Sequence, residues 1–274
     1  MVNPVMAAYN RLMRKRTAKA CLMAIAVALI NLNGFVRLGI CDDIAFALLV
    51  TLAVFLDCLD IFHALLLCLL LRTSSWWLPG WVFDLPAIGF LVPFLVSLLV
   101  VLIIPRARLS LGWIHAGRIE RVSWFLILIG SSLSTVALLL WAFWTDNLGV
   151  GEHMMASVAH LPPMLVLGVG IPIFALINAL AEEVTYRGVF QQGLGYAFEH
   201  PAIVILLQAT AFAAAHVRGG FPNGLAGYVM VVVYGSLLGY LRHRSKGLLA
   251  PYLTHVLGDL TIGYFLYFRV AAAH

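Results

Sequence analysis

Long apolar stretches recur along this chain, which restricts it to a helical fold inside a membrane. They lie near residues 18–35, 44–71, 86–104, 122–145, 161–181, 201–217, 223–241 and 248–268. A membrane-crossing helix needs roughly 20 predominantly apolar residues. Because backbone groups inside lipid must be hydrogen-bonded within their own segment, the spans must be helical. The sequence therefore predicts an all-α fold, a polytopic transmembrane helical bundle of about eight spans.

The composition supports a membrane protein. The chain is 63% hydrophobic and 11% charged, whereas a soluble domain is typically about 25% charged. A water-soluble fold of this length could not hide so much apolar surface. We therefore expect the lipid bilayer as a partner. The net charge of +5 comes from basic residues beside the spans, which is typical of cytoplasmic loops, so no nucleic acid is expected.

Basic residues next to the spans give a topology with an internal conflict. They form three groups, in residues 11–19, 106–121 and 242–246, and each group is expected in the cytoplasm. Four predicted spans, an even number, separate the second group from the third, so these two groups lie on the same side of the membrane. Three spans, an odd number, separate the first group from the second, which places them on opposite sides. The connection at 146–160 carries Asp146 and Glu152 without Lys or Arg and fits the opposite side. Either one early segment does not cross fully, or one basic group lies outside.

Charged residues inside apolar stretches are the main functional signal, because each costs about 2.5–3.5 kcal/mol at the centre of a spanning helix. Glu182, Glu183 and Arg187 end one such stretch. Glu183 and Arg187 are four residues apart, so they share a helix face and can pair. Glu182 points about 100° away, which leaves one carboxylate without a cation. Such an acid suits a general base; the alternative is a helix end in interfacial water.

Two histidine motifs follow on later spans. His216 comes after three alanines, which allow a neighbouring helix to approach closely, and Phe212 lies one turn earlier on the same face. His255 and Asp259 are again four residues apart, so the acid could orient the ring, or both could bind a substrate carbonyl. Each motif could also be a simple pair between helices. Combined with Glu182, they predict a hydrolytic site or a metal site.

In this order the motifs resemble the signature of the CPBP family, the CAAX-type prenyl proteases and bacteriocin-processing (Abi) proteins. These are glutamic-type intramembrane endopeptidases. The resemblance covers roughly residues 161–268. It rests on Glu182-Glu183-x-x-x-Arg187, Phe212-x-x-x-His216 and His255-x-x-x-Asp259.

The resemblance implies a role for each motif. Glu182 and His216 would activate the attacking water, and His255 with residue 259 would stabilise the oxyanion. Glu183 and Arg187 would hold the glutamate helix in register. This chain has Asp259 where many members have Asn, and an ionised Asp cannot donate a hydrogen bond to an oxyanion. Asp259 is therefore either protonated or orients His255, and we favour the second role.

Zinc is an alternative to metal-free catalysis. Glu182, His216 and His255 could hold Zn²⁺ with an open water position. The chain lacks an HExxH motif, which would place two ligands and the base on one helix. We favour a metal-free site with Glu182 as the base.

The expected protein is thus an intramembrane endopeptidase with a catalytic core in residues 161–274. Residues 1–160 would add transmembrane helices of uncertain role. Its substrate would be a membrane-anchored protein or peptide, cut at a C-terminal sorting signal, a leader or a prenylated tail. We expect a multi-pass protein of a prokaryote-like plasma (inner) membrane.

Two other functions remain open. Asp57, Asp60 and His63 lie at i, i+3 and i+6 on the predicted second span, and such a stripe could be a proton or ion path. A transporter should also show internal repeats, and we find no convincing repeat between the two halves. The third possibility is a non-catalytic membrane scaffold that has kept the fold.

Overall fold

The computed structural model describes residues 4–84, 86–145, 155, 158 and 160–271. The regular structure in these residues is helical, as predicted. The helices are α1 (Pro4–Phe35), α2 (Ile40–Phe55), α3 (Phe62–Trp77), α4 (Pro86–Ile103), α5 (Arg121–Trp144), α6 (Pro163–Ala197), α7 (Pro201–Gly219), α8 (Gly224–Ser245) and α9 (Leu249–Ala271). By length and composition, α5, α6 and α8, most of α7 and residues 12–35 of α1 could each cross a membrane.

The predicted single span at 44–71 is wrong. The chain turns at residues 56–61, between α2 and α3, and Asp57 adopts a positive φ of 52° there. Lys15 Nζ lies 2.5 Å from Asp57 Oδ2, and Lys19 forms an ion pair with Asp60. The apolar run is continuous in sequence, so hydropathy does not show the turn. The residues that pair with the turn lie on α1, more than 40 residues away in sequence.

The predicted stripe of Asp57, Asp60 and His63 is wrong for the same reason. The two acids lie in the turn, whereas His63 begins the next helix and is buried. His63 Nε2 lies 3.1 Å from Ser97 Oγ on α4. The described structure therefore contains no continuous acidic path along a second span.

The extra helix resolves the topology conflict. Four helices now separate residues 11–19 from residues 106–121, so both basic groups lie at one end of the bundle. The backbone N–H of Arg118 donates to the carbonyl oxygen of Ser245 at 2.9 Å, which places the third basic group there too. Arg16 also pairs with Glu199 at this end. We call it the basic end, and the positive-inside rule assigns it to the cytoplasm. Asp146 and Glu152 lie outside the described residues.

Helix α7 is enclosed by α1 and α8 through small residues. A Cβ on Gly34 of α1 would lie 2.8 Å from the carbonyl oxygen of Ala214, and a Cβ on Gly235 of α8 would lie 3.1 Å from the Phe212 ring. Small residues allow this close approach of backbones inside a membrane. The approach predicted at the three alanines is confirmed, and it fixes the helix that carries His216.

Candidate active site

The glutamate pair lies where α6 changes its winding. The helix is α-helical over Ile171–Glu182 and π-helical over Glu183–Phe190. Every residue of the π-helical segment is buried. π-Helical turns are rare and frequently lie at functional sites. At this change of winding, the adjacent carboxylates of Glu182 and Glu183 face different environments.

Glu183 is the centre of a buried network. Arg187 Nη1 donates to Glu183 Oε1 at 2.8 Å, which confirms the predicted pair. The same oxygen lies 2.7 Å from His255 Nδ1. Because an ionised carboxylate only accepts hydrogen bonds, the ring donates through Nδ1 and its Nε2 points away. The guanidinium also lies 4.3 Å from the centre of the Phe212 ring, a cation–π contact.

The free edge of His255 faces two further acids. Its Nε2 lies 3.5 Å from Glu182 Oε2 and 3.7 Å from Asp259 Oδ1. The shared face predicted for His255 and Asp259 is therefore present. However, the ring makes its hydrogen bond to Glu183, which accepts it, and Asp259 only lies near the ring.

Asn178 links the two acids, and the motif analysis missed it. Its Nδ2 donates to Asp259 Oδ2 at 3.1 Å and faces Glu182 Oε1 at 3.4 Å. The side chain is buried and lies one turn before Glu182 on α6. A signal was present, because Asn178 is the one polar side chain in the apolar run 171–181.

His216 joins the other site residues through a shared cavity. Its ring packs against Phe212 with centres 4.7 Å apart, as predicted, and its Nδ1 lies 3.1 Å from the Phe212 carbonyl oxygen. Phe212 in turn packs against His255 at 5.9 Å. His216, His255 and Glu182 all line one cavity of about 680 Å³. The cavity can therefore hold a substrate against all three.

The segment that holds this network also matches a known family. Residues 164–261 match the family model for type II CAAX prenyl endopeptidases, Rce1-like. Residues 164–261 form an Rce1-like domain. The family predicted from the three motifs is thereby confirmed. Neither a curated protein nor a solved structure matches the chain significantly.

Tyr234 forms part of the cavity wall in the Rce1-like domain, and sequence analysis missed it as well. Its hydroxyl donates to the Thr254 carbonyl oxygen at 3.0 Å, and its ring packs edge-on against His255 at 6.0 Å. A Cβ on Gly258 would lie 2.9 Å from this hydroxyl, so the glycine leaves room for it. A tyrosine in an apolar helix gives no signal of this kind in sequence.

The Rce1-like domain does not assemble the zinc ligands considered above. Among the described residues, no group of three or more His, Cys, Asp or Glu side chains could hold a metal ion. His255 Nδ1 is bonded to Glu183, and His216 Nδ1 faces a backbone carbonyl. Metal-binding histidines also use one ring nitrogen in this way, so metal-free catalysis stays a prediction.

Proposed function

We propose that the protein is an intramembrane endopeptidase that hydrolyses a peptide bond in a membrane-anchored protein or peptide. The family match supports intramembrane endopeptidase activity in general. The observation that carries the finer proposal is the grouping of Glu182, His255 and Asp259 on the wall of the apolar cavity.

Glu182 is the general base in this proposal. Its side chain is 12% exposed, against 1% for Glu183 and 7% for Asp259, so it is the carboxylate that water reaches most easily. It takes a proton from water while the water oxygen attacks the scissile carbonyl carbon. The same proton then passes to the amide nitrogen as the C–N bond breaks, which releases a carboxylic acid and an amine. His216, on the same cavity, positions this water together with Glu182.

His255 stabilises the tetrahedral intermediate. The former carbonyl oxygen carries the negative charge, and a protonated Nε2 would donate to it. Glu183, Glu182 and Asp259 lie around the ring. Glu183 and Arg187 act as positioning residues because they fix the ring through Nδ1. Exclusion of water from the cavity strengthens each of these interactions.

The substrate class follows from the surroundings of the site. The cavity is walled mainly by apolar side chains of membrane helices, so it suits an apolar stretch next to a membrane anchor. A C-terminal sorting signal, a leader and a prenylated tail all provide such a stretch. We favour protein sorting or peptide maturation in a prokaryote-like plasma membrane.

Co-expression tests this proposal. One tagged candidate from each substrate class is expressed with the wild type, Glu182→Ala or His216→Ala, with protein levels matched. Product formed by the wild type alone supports the proposal. Equal product from all three contradicts it and favours a non-catalytic scaffold. Chelator should leave the wild-type reaction unchanged, whereas a loss restored by added zinc would favour the metal alternative.

A further inference from the structure

The cavity opens sideways into the lipid between α5 and α8. On α5 it is lined by Ile129, Leu133 and Ala137, and on α8 by Val229 and Val233. All five side chains are nevertheless exposed, Leu133 by 65% and Val233 by 68%. These side chains therefore face the outside of the bundle as well as the cavity. Both helices are candidate membrane spans, so the opening between them, which we call the window, faces lipid chains.

Helix α5 creates the window by changing neighbours halfway along its length. Towards the basic end it packs on α8, where Gly130 lies so close to Leu237 that a Cβ would collide with that side chain. Towards the opposite end it packs on α9, where Thr135 Oγ1 and Thr261 Oγ1 are hydrogen-bonded at 3.0 Å. The two helices α5 and α8 therefore separate beyond Gly130.

Two contacts limit the height of the window. The Gly130–Leu237 contact closes it towards the basic end, and Trp141 packs edge-on against Phe221 at 5.0 Å towards the opposite end. The helix rises roughly 16 Å between residues 130 and 141. The cavity behind it, at about 680 Å³, is within the range of pockets that hold a small ligand. A short uncoiled peptide stretch fits this space, but a whole helix does not.

We propose that the window is the route by which substrate reaches the site. An apolar stretch of a membrane-anchored polypeptide passes sideways from the lipid between α5 and α8. It uncoils in the cavity, where its peptide bond meets Glu182 and His255. Moving from lipid into an apolar cavity costs such a stretch little solvation, and the polar wall supplies partners for its exposed amides. This inference rests on the proposed function.

Two serines on α5 provide a matched test. Ser134 lines the cavity, whereas Ser132 is exposed and does not line it. Each hydroxyl donates to a carbonyl oxygen of its own helix, at 2.9 Å and 2.8 Å respectively. Ser134→Trp and Ser132→Trp therefore lose equivalent hydrogen bonds and add the same bulk, but only the first obstructs the window.

The probes are a single-span reporter protein that the wild type cleaves and a synthetic peptide with the same cleavage sequence but no span. The peptide has no span, so nothing requires it to enter from the lipid. Ser134→Trp should lose most cleavage of the reporter and retain most cleavage of the peptide. Ser132→Trp should cleave both like the wild type.

The window would be overturned as the route if Ser134→Trp cleaved the reporter as well as the wild type does. It would also be overturned if Ser134→Trp lost cleavage of the reporter and of the peptide equally. Ala137→Trp replaces Ser134→Trp if that variant fails to accumulate, because Ala137 lines the cavity and is exposed. Glu182→Ala is included in the same assay. If it cleaves both probes, the proposed function fails, whatever the window variants show.

Discussion

Two of the groups of paired charges in the described residues differ in burial and in balance. At the basic end, Lys15 and Asp57 form a one-to-one pair with side chains 39% and 56% exposed. In the interior, Arg187 and Glu183 form a pair whose side chains are 0% and 1% exposed, and two more carboxylates lie beside His255. Charges at a membrane edge can be balanced by water, whereas an excess of buried acid is costly. The comparison indicates that the buried group serves chemistry, whereas the exposed edge pair adds little stability of its own.

Removing the base should give the largest effect on activity. Glu182→Ala should lower kcat by about 10²–10⁴-fold, the usual contribution of a positioned general base. Its unfolding temperature should stay near that of the wild type, because Glu182 is the least buried of the three carboxylates. Steady-state kinetics of purified protein in detergent would measure the first quantity and thermal unfolding the second. An unchanged kcat would contradict the assignment of chemistry to the buried group.

Breaking the buried pair should mainly affect stability. Arg187→Ala leaves the Glu183 carboxylate buried without its cation, a change that costs about 3–5 kcal/mol in known cases. It also removes the guanidinium from the Phe212 ring. Denaturant unfolding in detergent would show the loss. Arg187→Lys keeps the charge and should recover part of the free energy of unfolding. A fully stable Arg187→Ala protein would argue against a buried network.

Asn178 should have an intermediate effect on catalysis. Asn178→Ala removes the donor shared by Glu182 and Asp259, and a hydrogen bond to a charged group is worth about 1.5–3 kcal/mol. We expect kcat to fall by roughly 10–100-fold, with a smaller change in KM. Asn178→Gln, which retains the amide, should recover part of kcat. Equal losses of kcat in the Ala and Gln variants, with normal folding, would assign Asn178 a packing role only.

The edge pair should give the smallest effect. Lys15 lowers the pKa of Asp57, first through its hydrogen bond and then through its charge. Because the pKa of Asp57 is lowered in the folded state, the pair stabilises the fold at pH values above the usual pKa of an Asp. That contribution is lost as the pH falls below about 4. At pH 7 an exposed pair is weak and screened by salt. Asp57→Asn should therefore unfold within error of the wild type; a large drop in unfolding temperature would contradict this.

Local spacing made much of the site predictable from sequence. Residues four apart on a helix meet whatever surrounds them, so the pairing of Glu183 with Arg187 and the packing of Phe212 on His216 needed no tertiary information. The all-α fold followed from hydropathy in the same way, because lipid permits few alternatives.

Long-range pairing explains what sequence reasoning missed. The turn that separates α2 from α3 is paired with Lys15 and Lys19, which are distant in sequence. The bond from Glu183 to His255 joins residues 72 apart, so the choice of Glu183 over Asp259 as the orienting acid needed the structure. The division into residues 1–160 and 161–274 stays a prediction, and α1 packs directly on α7 through Gly34.

The most direct test places one member of each charged group in the same assay. Wild type, Glu182→Gln and Asp57→Asn are expressed at matched levels with one membrane-anchored reporter, and the cleaved fraction is measured. The account predicts cleavage by the wild type and Asp57→Asn and none by Glu182→Gln. Cleavage by Glu182→Gln, or its loss in Asp57→Asn alone, would contradict the assignment of chemistry to the buried group.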